Sequence, residues 1–120
     1  AALAGINGAR AYVAAMCCGM LQASLETAVR YTQQRQSFGQ PVIDHQGVRW
    51  KLVDAATDLE AARLLTYRAA RLIDEGGDAV MPAAYAKKFA TDMALQRIGD
   101  CIQAIAPLAR PATTALCHAA

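Results

Sequence analysis

Residues 31–46 read YTQQRQSFGQPVIDHQ, from Tyr31 to Gln46, and they separate two long stretches of helical periodicity. Gly39 and Pro41 both disfavour helix, so the run Ser37-Phe38-Gly39-Gln40-Pro41 is expected as an ordered turn. Asp44 is placed to cap the next helix. Upstream, Val13, Cys17, Met20, Leu21, Ser24, Leu25 and Ala28 recur at steps of three and four, which predicts a helix over 3–34 with one apolar face. Glu26 and Arg30 fall on its other side, in the favourable order for an i,i+4 ion pair. Downstream, Leu52, Ala55, Ala56, Leu59, Ala62, Ala70 and Ile73 form the stripe of a second helix over 44–74, which Gly76-Gly77 ends.

The third helix is expected to begin near Pro82, where a missing N–H is harmless, and to run to about Ile105. Tyr85, Phe89, Met93, Gln96, Ile98 and Ile102 mark its buried side, with Cys101 nearby. Pro107 and Pro111 are expected to stop it, and a short fourth helix over 112–118 follows. The fold class is therefore all-α: an antiparallel up-and-down bundle of three long helices plus a short fourth, in one domain over residues 1–120. Helices of about 30 residues span about 45 Å, more than a compact chain of this length needs, so apolar surface is left to pack against something else.

Composition agrees. The chain is 55% hydrophobic but only 6% aromatic, with much alanine, which costs least in a helix and lets helices approach closely. A net charge of +2, with bases interleaved among acids, gives no nucleic-acid footprint. No stretch is read as long and apolar enough to span a membrane, and the start lacks the basic region of a signal peptide. Cys17, Cys18, Cys101 and Cys117 form no Cys-x-x-Cys, and neighbours on a helix point about 100° apart. Reduced, mostly buried thiols in a cytoplasmic protein are expected. His45 and His118 stand far apart without a ligand set, so no metal is expected. Asp74 and Glu75 read as solvated charge, and Met16, Met20, Met81 and Met93 as core filler.

The most specific string is Tyr31-x-x-x-Arg35-x-x-Phe38-Gly39-x-Pro41-Val42, followed by His45-Gln46. With Leu52-Val53-Asp54, Ala62-Arg63, Tyr67, Asp74-Glu75-Gly76, Ala84 through Lys87 and Gln103, it resembles the C-terminal helical domain of the acyl-CoA dehydrogenases over about residues 3–105. The resemblance implies a flavin adenine dinucleotide (FAD) lying across a subunit boundary. Arg35, Ser37, Phe38, His45 and Gln46, with Gln103, would stand at its adenine and pyrophosphate end, and Arg10 near the acyl-CoA substrate. An arginine fork suits phosphate oxygens, and a helix N-terminus favours anions. Taken singly, Arg35 reads as a surface arginine at a helix end, Phe38 as an anchor packed under its turn, and His45 as a satisfied histidine. The resemblance further implies an FAD-dependent oxidoreductase of fatty acid metabolism acting on acyl-CoA CH–CH bonds, as a homo-oligomer (dimer or tetramer). Some chains of the superfamily oxidise nitroalkanes or hydroxylate small molecules.

Three departures qualify this. The family's N-terminal helical and middle β domains are absent from these residues. Its catalytic carboxylate is missing too: where some members carry glutamate directly before the arginine of the first helix, this chain has Ala9 before Arg10. After Gln103 the family's Gln-x-x-Gly-Gly gives way to Ala104-Ile105-Ala106-Pro107. No catalytic residue is assigned, the chain is not expected to be active alone, and isolated FAD affinity is expected to be weak or absent. The competing expectation is a non-catalytic oligomerisation or protein-binding bundle with a decayed flavin site.

Overall fold

The computed structural model of the chain describes residues 2–109. Helix α1 spans Ala2–Gln34, a minimal hairpin pairs β1 (Gln36–Ser37) with β2 (Gln40–Pro41), a 3₁₀ turn covers Val42–Asp44, and helices α2 (Gln46–Asp74) and α3 (Val80–Ala109) follow. The three long helices run up, down and up. Across α1 and α2, the Cys18 Sγ meets the Thr66 hydroxyl at 3.9 Å and Arg63 donates to the Gln22 side chain. Across α2 and α3, Lys51 pairs with Gln103 and Asp58 with Arg97. The expected fourth helix over 112–118, with Pro111, Cys117 and His118, lies outside the described residues.

Several boundaries depart from expectation for local reasons. Asp44 does not cap α2. It closes the 3₁₀ turn, its carboxylate accepts from Arg49 at 3.1 Å, and His45 holds the cap position without a side-chain cap bond. Helix α3 starts two residues before Pro82 and continues through Pro107 to Ala109. Pro82 falls in the first turn, where its missing N–H costs nothing; Pro107 removes one backbone bond and crowds the carbonyl four residues back, and the helix ends two residues later. The end of α2 is as expected: Gly76 takes φ +71, its N–H donates to Ile73 O at 3.1 Å, and the Gly77 N–H donates to Leu72 O at 2.9 Å. This is the double bond of a Schellman ending, which requires a left-handed residue. Glu26 accepts from Gln22 at 2.9 Å rather than pairing with Arg30.

The core is built of alanine. Ala14, Ala28, Ala55, Ala62, Ala69, Ala83, Ala86 and Ala90 are wholly buried, and the largest fully buried side chains are only Leu21, Thr32 and Cys101. The bulky residues expected inside stand outside: Val13, Met16, Met20, Met81, Tyr85 and Ile102 are all exposed, and Leu95 is 84% exposed. Of the four methionines only Met93 is core. Small side chains let backbones approach closely, so the seam follows the alanines and displaces large neighbours to its flanks.

The result is a slab of 57 × 28 × 16 Å with a radius of gyration of 18.1 Å, against about 13–14 Å for a compact domain of this length. By length and composition α1 over Ala4–Gln34 is apolar enough to cross a membrane, which corrects the sequence reading. A core helix has the same composition, and Ala11, Ala14, Leu21, Ala28 and Thr32 on it are buried in the bundle.

Candidate functional site

The expected turn is a two-residue β-hairpin fixed to the lower end of the bundle. Arg35 N–H donates to Tyr31 O at 3.0 Å, ending α1, and Arg35 O accepts from Val42 N–H at 2.8 Å. Ser37 faces Gln40 across the ladder, so Phe38 and Gly39 form the whole loop. Their φ values are +53 and +80. Both central residues are left-handed, as the loop that matches strand twist demands. Glycine meets that at no steric cost, whereas phenylalanine loses about 1 kcal/mol. Phe38 is the only non-glycine residue with positive φ among the described residues. Buried Val42 pins the hairpin to the helices.

Phe38 is not packed under its turn, as expected of it singly: it is 97% exposed. Its ring meets only the edge of His45, at a centroid distance of 6.2 Å and an interplanar angle of 82°. Ser37, Phe38, Val42, His45, Val48, Gln103 and Ala104 surround a cavity of ≈ 220 Å³. Four of the expected cofactor residues thus come together, with Gln103 arriving from the far end of α3. Val48, Ala104 and Lys51 were not expected. Lys51 donates to the Gln103 amide oxygen at 2.9 Å and ties α3 to α2 beside the cavity. No sequence signal marks Lys51, because its pairing with a residue 52 positions away depends on the register between two helices.

Arg35 and Gln46 flank the cavity along the chain without lining it. The Arg35 side chain is exposed and, among the described residues, makes no hydrogen bond or ion pair. It does not cap α1. Gln46 is the exposed first residue of α2, whose leading N–H groups have no side-chain cap and favour an anion. Arg10 is not part of this site. It lies 25 residues up α1 from Arg35, about 37 Å along the axis, at the other end of the slab. Ala9 beside it is exposed and carries no acid.

Elsewhere the chemistry is quiet. Burial pushes the Cys17 and Cys101 thiols above their ordinary range, which keeps them protonated and poorly nucleophilic near neutral pH. Among the described residues no group of three His, Cys, Asp or Glu side chains could hold a metal. A cavity of ≈ 420 Å³ between α2 and α3 has Leu65, Tyr85, Phe89 and Met93 on its walls.

A family model described as acyl-CoA dehydrogenase, C-terminal domain, matches residues 1–110. The chain is 43% identical over 102 residues to an acyl-CoA dehydrogenase of Bacillus subtilis (strain 168), covering 85% of this chain and 27% of that one. The structure of butyryl-CoA dehydrogenase from Megasphaera elsdenii superposes with a TM-score of 0.83 at 38% identity, over 86% of this chain and 27% of the other. A nitroalkane oxidase structure does so with a TM-score of 0.80 at 26% identity, over 86% and 25%. The chain spans about a quarter of the length of the relatives it matches.

Proposed function

The chain belongs to the acyl-CoA dehydrogenase family, as a C-terminal helical domain, and we propose that it supplies the adenine and pyrophosphate end of an FAD site in a flavoprotein that dehydrogenates acyl-CoA between its α and β carbons. The carrying observation is the hairpin: an uncommitted guanidinium at Arg35, a cavity of ≈ 220 Å³ with an apolar lip at Phe38, Val42 and Val48, and an uncapped helix start at Gln46. The volume is below the roughly 300–1,000 Å³ of a whole-ligand site, so it suits one end of a long ligand. A flat heterocycle can lie against Phe38 and Val48. Phosphate oxygens suit the fork of Arg35 and the open N–H groups of α2.

The flavin, when bound, supplies the hydride acceptor; this chain's residues bind and orient its far end. Position 9, before Arg10, is alanine and cannot take the substrate α-proton. Arg10 serves the acyl-CoA side, at a separate place on the slab. The chain alone is therefore not expected to turn over. Three free thiols among the described residues support a reducing, cytoplasmic setting.

Fluorescence quenching of FAD by the purified chain tests this reading. Weak binding is expected, and Arg35→Ala is expected to lower the affinity about tenfold, the worth of one charge-assisted contact. Equal affinity of the two proteins would overturn the assignment of Arg35. No quenching at near-millimolar FAD would remove the cofactor role from the isolated chain.

A second reading, a bundle acting through protein contacts, is favoured by the large side chains on its outside: Leu64, Tyr67, Met81, Tyr85 and Leu95 are exposed while alanines fill the seam. Self-association is expected on either reading. Light scattering at high protein concentration should return at least a dimer, and a monomer would contradict it.

A further inference from the structure

Phe38 stands in a conformation its side chain disfavours, with its ring in solvent, so something outside the loop must hold it there. The neighbour that touches Phe38 and both residues flanking the loop is His45. Its Nε2 lies 3.1 Å from the carbonyl oxygen of Ser37, the residue before the turn. Its Nδ1 lies 3.2 Å from the side-chain Nε2 of Gln40, the residue after the turn. Its ring edge meets the Phe38 ring at 6.2 Å, within the range of an edge-to-face aromatic pair.

The partners fix the proton. A carbonyl oxygen only accepts, so Nε2 carries the hydrogen and donates; an amide nitrogen only donates, so Nδ1 is bare and accepts. Neutral imidazole in this one tautomer satisfies both sides at once. One ring thus bridges Ser37 and Gln40, the pair that flanks the turn, and braces the tip between them. Its own backbone is anchored, because His45 N–H donates to Val42 O at 3.1 Å and His45 O accepts from Arg49 N–H at 3.0 Å, the first turn of α2.

We infer that His45 is a positioning residue: in its neutral Nε2–H form it clamps Ser37 and Gln40, holds the Phe38-Gly39 turn left-handed, and so presents the Phe38 ring for packing against a flat heterocycle. This rests on reading the hairpin as a dinucleotide site. With both ring nitrogens committed inside the protein, His45 is not a direct polar ligand of the cofactor. It acts through Phe38.

The experiment has two arms. The first needs no cofactor. Amide hydrogen exchange at Val42, whose N–H bonds Arg35 O across the hairpin, is compared in wild type, His45→Leu and His45→Gln. His45→Leu is expected to speed Val42 exchange about tenfold, the effect of losing one or two net hydrogen bonds. His45→Gln, whose amide both donates and accepts, is expected to restore most of the protection. The melting temperature should barely differ, because the hairpin lies outside the alanine core. Unchanged Val42 exchange in His45→Leu would overturn the inference, as would equal loss in the Leu and Gln variants. The second arm titrates FAD into the same three proteins. Weaker binding in His45→Leu, recovered in His45→Gln, is expected; an open hairpin with undiminished affinity would refute the positioning role. If wild type takes up no FAD, the cofactor role is removed from the isolated chain, and the claim that His45 sets the turn is decided by the Val42 arm.

Discussion

Arg97→Met is expected to lower the unfolding free energy by about 2–4 kcal/mol, read from the urea midpoint at neutral pH. Arg97 is 19% exposed and faces three carboxylates: Asp58 at 2.5 Å, Asp100 at 3.1 Å and Asp54 at 3.9 Å. The hydrogen bond from Arg97 to Asp58 leads the causes that push its pKa above the ordinary value, more than offsetting the desolvation that lowers it. A group whose folded pKa is raised contributes its stability below the unfolded value and loses it only as pH rises through the folded one, so raising the pH within the workable range does not break this tie. Removing the cation leaves Asp58 and Asp100 partly buried, close together and unpaired, and that residue of like charge is what costs most. Asp54, 62% exposed, is screened by water and contributes little. Adding Asp58→Asn to the Met variant should recover about 1 kcal/mol or more, since the two positions share one network. A loss below about 0.5 kcal/mol for Arg97→Met would place the pair among ordinary surface ion pairs.

The second large effect inverts the usual rule about core leucines. Ala90→Leu is expected to destabilise the isolated bundle by about 3 kcal/mol, whereas Leu95→Ala should stay within about 0.5 kcal/mol. Ala90 has no exposed surface, and the helices meet along such residues, so three added carbons must push α3 away from its neighbours. Leu95 is 84% exposed, so its removal opens no cavity. Chemical unfolding of the two variants at low protein concentration, where self-association is minimal, measures both. A tolerated Ala90→Leu would mean that the seam is loose and that the alanines are not its packing surface.

The number, direction and approximate limits of the three long helices were legible in the sequence because periodicity and the Gly76-Gly77 stop act locally. Which residues fill the core was largely legible in α2, where Leu52, Ala55, Leu59 and Ala62 are buried as expected although Ala56 is exposed. It was partly misread in α1 and α3. There Leu21, Ala28 and Met93 are buried as expected, but the rule that large apolar residues face inward also picked Val13, Met20, Tyr85 and Ile102, while the seam runs on through Ala14, Ala86 and Ala90. Apolar residues on nearly every face leave two stripes open, and only the closeness of approach between backbones chooses between them. For the site, Ser37, Phe38, His45 and Gln103 converge on one cavity. The left-handed turn and the clamp of His45 were beyond the sequence, since Phe-Gly lacks the residue that usually announces such a loop. The Lys51–Gln103 tie depends on how α2 and α3 are staggered, which no local pattern encodes.

Helix α1, Ala2–Gln34, carries Arg10 near its start and hands the chain directly to Arg35 at its close. That makes it a gauge as much as a wall. Adding or deleting a single residue between them would turn one guanidinium by about 100° relative to the other and move it about 1.5 Å, with every intervening alanine swung off the seam. Length variation in this domain should therefore be excluded from α1 and collect at exposed junctions such as Gly76–Asp78, where an extra residue changes neither the pitch nor the phase of the two cations.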